Sequence, residues 1–129
     1  MEDPIFLDFD RIEEIHEASL EAYGGSKGIR DRGLIESALG SAINTFFYAN
    51  GDLFDIAAAY AFHLAQAQAF LDGNKRTGIG AALLFLRANG VTRLPADSLL
   101  YDAMIAIAEK RLDKAGLASI FRRAAVSLS

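Results

Sequence analysis

The sequence predicts an all-α domain, with about six helices around two central alanine-rich ones. Three observations carry that expectation. Apolar residues recur at three- and four-residue spacing along most of the chain, the period of a helix that buries one face. Only two prolines interrupt 129 residues, and alanine, the best helix former, is frequent. Short breaks rich in glycine and asparagine, YGGSKG, YANGD, LDGN and ANG, separate the periodic stretches.

The elements follow in order. A first helix should run from about Asp8 to Tyr23 with an apolar stripe of Ile12, Ile15, Leu20 and Tyr23, and YGGSKG should end it because glycine tolerates the left-handed helix stop. A second helix from about Asp31 to Ile43 has Asp31 as its N-cap. After the YANGD turn, Asp52 caps a third helix from Leu53 to about Phe70. Leu53, Ala57, Tyr60 and Leu64 form one stripe, and Phe54, Ala58 and Ala61 lie close by, so this helix is apolar on most sides and central. LDGN breaks it. A fourth helix from about Lys75 to Ala88 turns Ile79, Leu83 and Leu86 to the core, and ANG stops it. RLPAD leads into a fifth helix capped by Asp97 or Ser98, and a sixth occupies roughly Asp113 to Leu128.

The bulk numbers bound the function. The length suits one domain over residues 1–129, and 52% apolar with 23% charged residues is an ordinary globular balance. A net charge of -4 with a pI of about 5.1 argues against nucleic-acid binding, whose footprint is basic. The absence of cysteine excludes disulfides, thiolate metal sites and cysteine catalysis. The acidic start MEDPIFLDFD lacks a secretory pattern, and no apolar run reaches roughly 18 residues. The expectation is a cytoplasmic protein with no membrane association.

One junction stands out. FLDGNKRT, residues 70–77, places a carboxylate, a Gly-Asn pair and two adjacent cations between two apolar helices. A helix start offers unpaired N–H groups and partial positive charge, where an anion binds readily. Gly73 lets a ligand approach the backbone, Lys75 adds a point charge, and Arg76 can grip phosphate oxygens in pairs. Asp72 would repel phosphate unless a cation lay between them, and magnesium suits one carboxylate, waters and phosphate oxygens. The same residues also suit a plain helix corner, with Asp72 or Asn74 as N-cap, Gly73 in the turn, and Lys75 and Arg76 solvated. An Asp72–Arg76 ion pair is a further alternative.

The wider context resembles the Fic/Doc family, and within it the Doc (death-on-curing) branch. That pattern runs His-x-Phe-x-(Asp/Glu)-(Gly/Ala)-Asn-(Gly/Lys)-Arg, and this chain has Gln68, Ala69, Phe70, Leu71, Asp72, Gly73, Asn74, Lys75 and Arg76. HEASLEAYGGSKGIRDRGLIESAL is similar to the N-terminal region of that branch, and DLFDIAAAYAFHLAQ and RTGIGAALLFLRANG to its two central helices. The resemblance covers most of residues 10–110 and implies the Fic fold. It also implies that Asp72 holds Mg2+, that Gly73 and Asn74 form an anion cradle, that Lys75 and Arg76 bind the phosphates of ATP, and that Phe70 anchors the loop. Lysine rather than glycine at position 75 implies γ-phosphate transfer instead of AMP transfer. The implied target is elongation factor Tu, and the implied neutralising partner is a Phd-like antitoxin whose C-terminal segment folds onto the toxin.

The pattern departs at one position. The family's general-base histidine belongs at position 68, where this chain has Gln68, and Ala67 and Ala69 replace the usual flanking residues. A glutamine amide orients a hydroxyl but takes no proton near pH 7, and losing a general base costs about 10²–10⁴ in rate. His63 lies five residues upstream, a rotation of roughly 500° that leaves it ~140° from Gln68, so it is read as a partly buried structural histidine. His16 is read as a packing histidine that donates to a neighbouring loop. Phe46, Phe47 and Tyr48 suit core, a flap, or a groove for a partner helix, and EKRLDK and Arg122–Arg123 read as solvated charge.

Two functions remain open on these residues. One is a Doc-like toxin of a toxin–antitoxin pair, a phosphotransferase weakened or silenced at Gln68. The other is a non-catalytic Fic-fold protein that sequesters an antitoxin or another protein.

Overall fold

The computed structural model of the chain describes residues 3–126. Six helices follow one another: α1 (Phe9–Tyr23), α2 (Arg32–Phe47), α3 (Leu53–Ala67), α4 (Asn74–Ala88), α5 (Asp97–Ala108) and α6 (Lys114–Val126). The all-α expectation holds. The sixth helix was expected to reach Leu128, which lies outside the described residues.

α3 is the hub. It packs most extensively on α4 and also meets α2, α5 and α6. Its residues Ile56 through Ala61 are all buried, because small alanines let neighbouring helices close in on every side. A capping box fixes its start: the Asp52 carboxylate accepts from the Asp55 N–H, and Asp55 returns the bond to the Asp52 N–H, both at 2.9 Å. Arg122 of α6 reaches the same two carboxylates, at 2.9 Å from Asp52 and 3.4 Å from Asp55. Buried Tyr60 ties in the N-terminal segment by accepting from the Leu7 N–H at 2.9 Å, and burial pushes its hydroxyl pKa up to about 12.

Several boundaries differ from the sequence expectation. α3 ends at Ala67 rather than near Phe70, because residues 69–71 pair instead with residues 28–31. The Ala69 carbonyl accepts from the N–H groups of Arg30 and Asp31, and the Leu71 N–H donates to Gly28. α2 runs on to Phe47, since Phe46 packs against the core. Asp31 caps α2 as expected, accepting from the Leu34 N–H. Neither Asp97 nor Ser98 caps α5. Ala96, directly after buried Pro95, is the N-cap and contributes no side-chain bond, which leaves the Asp97 carboxylate in the first turn, favourable to the helix dipole.

The α3–α4 contact is close enough to require glycine. A Cβ at Gly78 would sit 2.7 Å from the Ala61 carbonyl oxygen. Gly78→Ala should therefore destabilise the protein by about 1–2 kcal/mol net, the overpacking cost exceeding the gain in helix propensity. Gly40 of α2 has nothing within 4 Å of its Cβ direction, so Gly40→Ala should stabilise by roughly 0.5–1 kcal/mol. Urea unfolding of the two variants beside the parent checks both signs.

Candidate functional site

The site forms at the corner between α3 and α4. Gln68 ends α3 in the left-handed conformation, φ 54° and ψ 37°, with its side chain exposed and making no hydrogen bond among the described residues. The chain then dives inward at buried Ala69 and Phe70. The Phe70 ring stacks on His16 of α1, with centroids 3.8 Å apart and planes 12° from parallel.

Two side chains hold the turn. Asn74 bonds both backbone groups of Phe70, accepting from its N–H and donating to its carbonyl, each at 3.0 Å. His16 Nε2 lies 2.8 Å from the Asp72 carbonyl; that oxygen only accepts, so Nε2 carries the proton. His16 thus serves as the loop-donating histidine the sequence suggested. Asn74 takes a role that its residue type did not reveal. Its side chain clamps the turn, spending one of its two N–H donors and one acceptor site on Phe70.

The Asp72 carboxylate is oriented by backbone donors. Its two oxygens accept from the N–H groups of Gly73 at 2.9 Å and Ser26 at 3.1 Å. Gly25 makes this approach possible, since a Cβ there would lie 2.8 Å from the carboxylate and its φ is 125°. Each oxygen keeps a further lone pair, and the side chain is exposed. No group of three His, Cys, Asp or Glu that could hold a metal occurs among the described residues. A single exposed carboxylate fits magnesium shared with phosphate and water, and does not fit an all-protein cage.

The start of α4 is uncapped. Gly73 is the N-cap at φ 77°, no side chain caps the helix, and the first intrahelical bond runs from Thr77 N–H to the Gly73 carbonyl. The N-cap that a plain corner would draw from Asp72 or Asn74 does not form. The N–H groups of Asn74, Lys75 and Arg76 keep the partial positive charge of a helix start. Lys75 is half-buried and makes no ion pair among the described residues.

Arg76 goes elsewhere. Its guanidinium lies over Tyr23 at 3.6 Å and Tyr101 at 4.7 Å, at the rim of an apolar cavity of about 350 Å³ between α1, α4 and α5. Asp72 does not line that cavity, and no Asp72–Arg76 ion pair forms among the described residues. The corner therefore brings Asp72, Gly73, Asn74 and His16 together, and sets Arg76 between two tyrosines. Sequence reading placed Tyr23 in an apolar stripe; the YGG break after it was the one hint that it stands at a helix end, where it is 59% exposed.

His63 and the aromatic run fall outside the corner. His63 Nε2 lies 3.0 Å from Lys114 Nζ, and burial, reinforced by that ammonium, holds its pKa below 6.5. Phe46 is half-buried, but Phe47 and Tyr48 are 50% and 84% exposed, and none of the three lines the cavity beside Arg76.

Comparison with known proteins gives concordant matches. The model of the Fic/DOC family matches residues 6–86. The chain is 34% identical over 110 residues to the protein kinase doc of Escherichia phage P1, covering 84% of this chain and 86% of that protein. It is 40% identical over 87 residues to the toxin Doc of Mycolicibacterium smegmatis, 66% of each chain.

Two outcomes follow from this geometry. Asn74→Ala strands the N–H and carbonyl of buried Phe70 and should cost about 1–3 kcal/mol in urea unfolding. Asn74→Asp, which keeps only the acceptor, should not restore the loss. For His63 the folded pKa lies below the unfolded value of 6.5, so above that pH the group contributes nothing to pH dependence. As the pH falls below 6.5 the unfolded chain takes up a proton that the folded chain resists, and stability drops. His63→Gln should show a smaller fall in urea midpoint between pH 7 and pH 5 than the parent.

Proposed function

This chain belongs to the Fic/DOC family, and from that premise we propose that it is a Doc-type toxin that binds magnesium and ATP at Asp72–Arg76. One observation supports the site above the rest: an uncapped helix start lies directly beside a carboxylate oriented by two backbone N–H groups. An anion at the helix start and a cation at the carboxylate are what that pairing accommodates.

In this reading Asp72 would hold magnesium, which when bound supplies charge neutralisation for the phosphates. The N–H groups of Asn74, Lys75 and Arg76 receive phosphate oxygens, and the Lys75 ammonium adds a point charge. Gln68, exposed at the end of α3, orients the hydroxyl of the target protein by a hydrogen bond. The transfer forms a bond from that hydroxyl oxygen to the γ-phosphorus and breaks the bond to the bridging oxygen, releasing ADP. The hydroxyl proton must pass to a phosphate oxygen or to water, because Gln68 cannot take it. Turnover is accordingly weak. His63 does not replace the base, since its Nε2 is engaged with Lys114.

The resemblance supplies elongation factor Tu as the target and a Phd-like antitoxin as the partner, and both belong to a cytoplasmic setting. No helix among the described residues is long and apolar enough to cross a membrane. For the antitoxin segment, the cavity between α1, α4 and α5 suits an amphipathic helix better than the aromatic run, because it is concave and its lining is mostly apolar. The second reading, a non-catalytic protein that sequesters an antitoxin, draws on Gln68 alone.

Labelled phosphate transfer from ATP to elongation factor Tu separates the two. Gln68→His should raise the rate by about 10²–10⁴, because the metal and phosphate sites stand independently of position 68. The left-handed backbone at 68 accepts histidine without difficulty. Asp72→Ala should abolish transfer in both backgrounds. Equal rates for parent and Gln68→His would show that the glutamine is not the defect. Absence of transfer from both, with antitoxin binding retained, would favour the sequestering protein.

A further inference from the structure

Among the described residues, Arg76 forms no ion pair. It is half-buried on α4, and among the described residues its guanidinium makes no hydrogen bond and no ion pair. Asp97 lines the same cavity yet forms no ion pair with it. What holds the group is aromatic: Tyr23 at the end of α1 and Tyr101 of α5, at 3.6 and 4.7 Å from ring centroid to the central carbon. A ring face places no strong hydrogen-bond acceptor against the guanidinium, so its N–H donors have formed no hydrogen bond among the described residues. The arrangement fixes the position of a charge while keeping its hydrogen-bonding capacity unspent.

We infer that Tyr23 and Tyr101 are positioning residues for nucleotide binding: they hold the Arg76 guanidinium ready to receive an anionic oxygen. The inference rests on the ATP-binding reading of residues 72–76 proposed above, adds the Arg76 guanidinium to the groups that receive phosphate, and extends that reading to two residues outside the 68–76 corner. An unsupported arginine on an exposed helix turn samples many rotamers, and an anion that captures one of them loses that freedom on binding. A guanidinium already lodged against two rings has surrendered most of it beforehand. The rings also lower the local exposure of the charge to water, which strengthens its attraction for a phosphate.

Calorimetry of ATP binding in the presence of magnesium tests this with the full chain. Tyr101→Leu and Tyr23→Leu should each weaken binding by about 5- to 10-fold, the scale of one cation–π contact. Tyr101→Phe and Tyr23→Phe, which keep the ring face and lose only the hydroxyl, should bind as the parent does. In an Arg76→Ala background the leucine changes should have no further effect, because there is no guanidinium left to place; a general loss of packing would instead weaken binding equally in both backgrounds. Thermal melts of each variant accompany the titrations. If Arg76→Ala weakens binding but the leucine variants bind like the parent, the positioning role is overturned while the phosphate role of Arg76 stands. If the leucine variants bind more tightly, the tyrosines hold the guanidinium away from the ligand and the inference is reversed. If Arg76→Ala binds as well as the parent, both the phosphate role and the positioning role fall.

Discussion

The close approach of α4 to α3 governs the rest of the molecule. Gly78 faces the Ala61 carbonyl with no room for a side chain, so the two helices meet nearly backbone to backbone. Helices this close must be joined by a corner that reverses within residues 68–73, which forces Gln68 and Gly73 into left-handed conformations. A turn of that shape cannot satisfy its own peptide groups, and a buried unpaired peptide group is costly. Asn74 takes both groups of Phe70, His16 takes the Asp72 carbonyl, and residues 28–31 take Ala69 and Leu71. The rigidity of the corner is thus a consequence of helix packing.

The same bonds leave the start of α4 without a side-chain cap. Asn74 turns its amide back toward Phe70, and Gly73 has no side chain to offer, so nothing caps α4. A side-chain cap is worth about 0.5–2 kcal/mol, and two neutral hydrogen bonds about 0.5–1.5 kcal/mol each. The clamp therefore offsets the missing cap, and the helix start stays open at little net loss. Asp72, held by the Ser26 and Gly73 N–H groups, stands beside that opening. Placing opposite charges at neighbouring points without letting them pair is what a site for a metal-bound polyphosphate demands.

Most of the fold was legible because helix periodicity and helix caps are local signals. Asp31 and Asp52 announced their helices, and the alanine run of α3 announced a central position. Long-range pairing was not legible. Nothing within residues 64–70 says that α3 must stop at Ala67, since the reason lies in a backbone segment far earlier in the chain, where Arg30 reaches Ala69. At the corner, the residue types Asp72, Gly73 and Lys75 showed a charged break, and His16 showed itself as a loop donor. The division of labour at Asn74 did not show, because an asparagine fits a cap, a cradle or a clamp equally well until its neighbours are placed. Arg76 shows the same limit from the other side. Its charge was evident, but its partners Tyr23 and Tyr101 are far apart in the chain and carry no local mark.

Position 68 is structurally independent of the start of α4. Its side chain is exposed and unbonded, so packing asks nothing of its chemistry. Its backbone asks only for a residue that tolerates a positive φ, which excludes β-branched side chains and admits glutamine or histidine. The open start of α4 and the Asp72 carboxylate depend on Asn74, His16 and Gly25, and none of those contacts passes through Gln68. A change of base at 68 therefore leaves the corner intact. That independence lets a chain with glutamine there retain the fold of its relatives. On the proposed function, ligand affinity and transfer rate would be separate properties of this corner, the first resting on the start of α4 and the second on the end of α3.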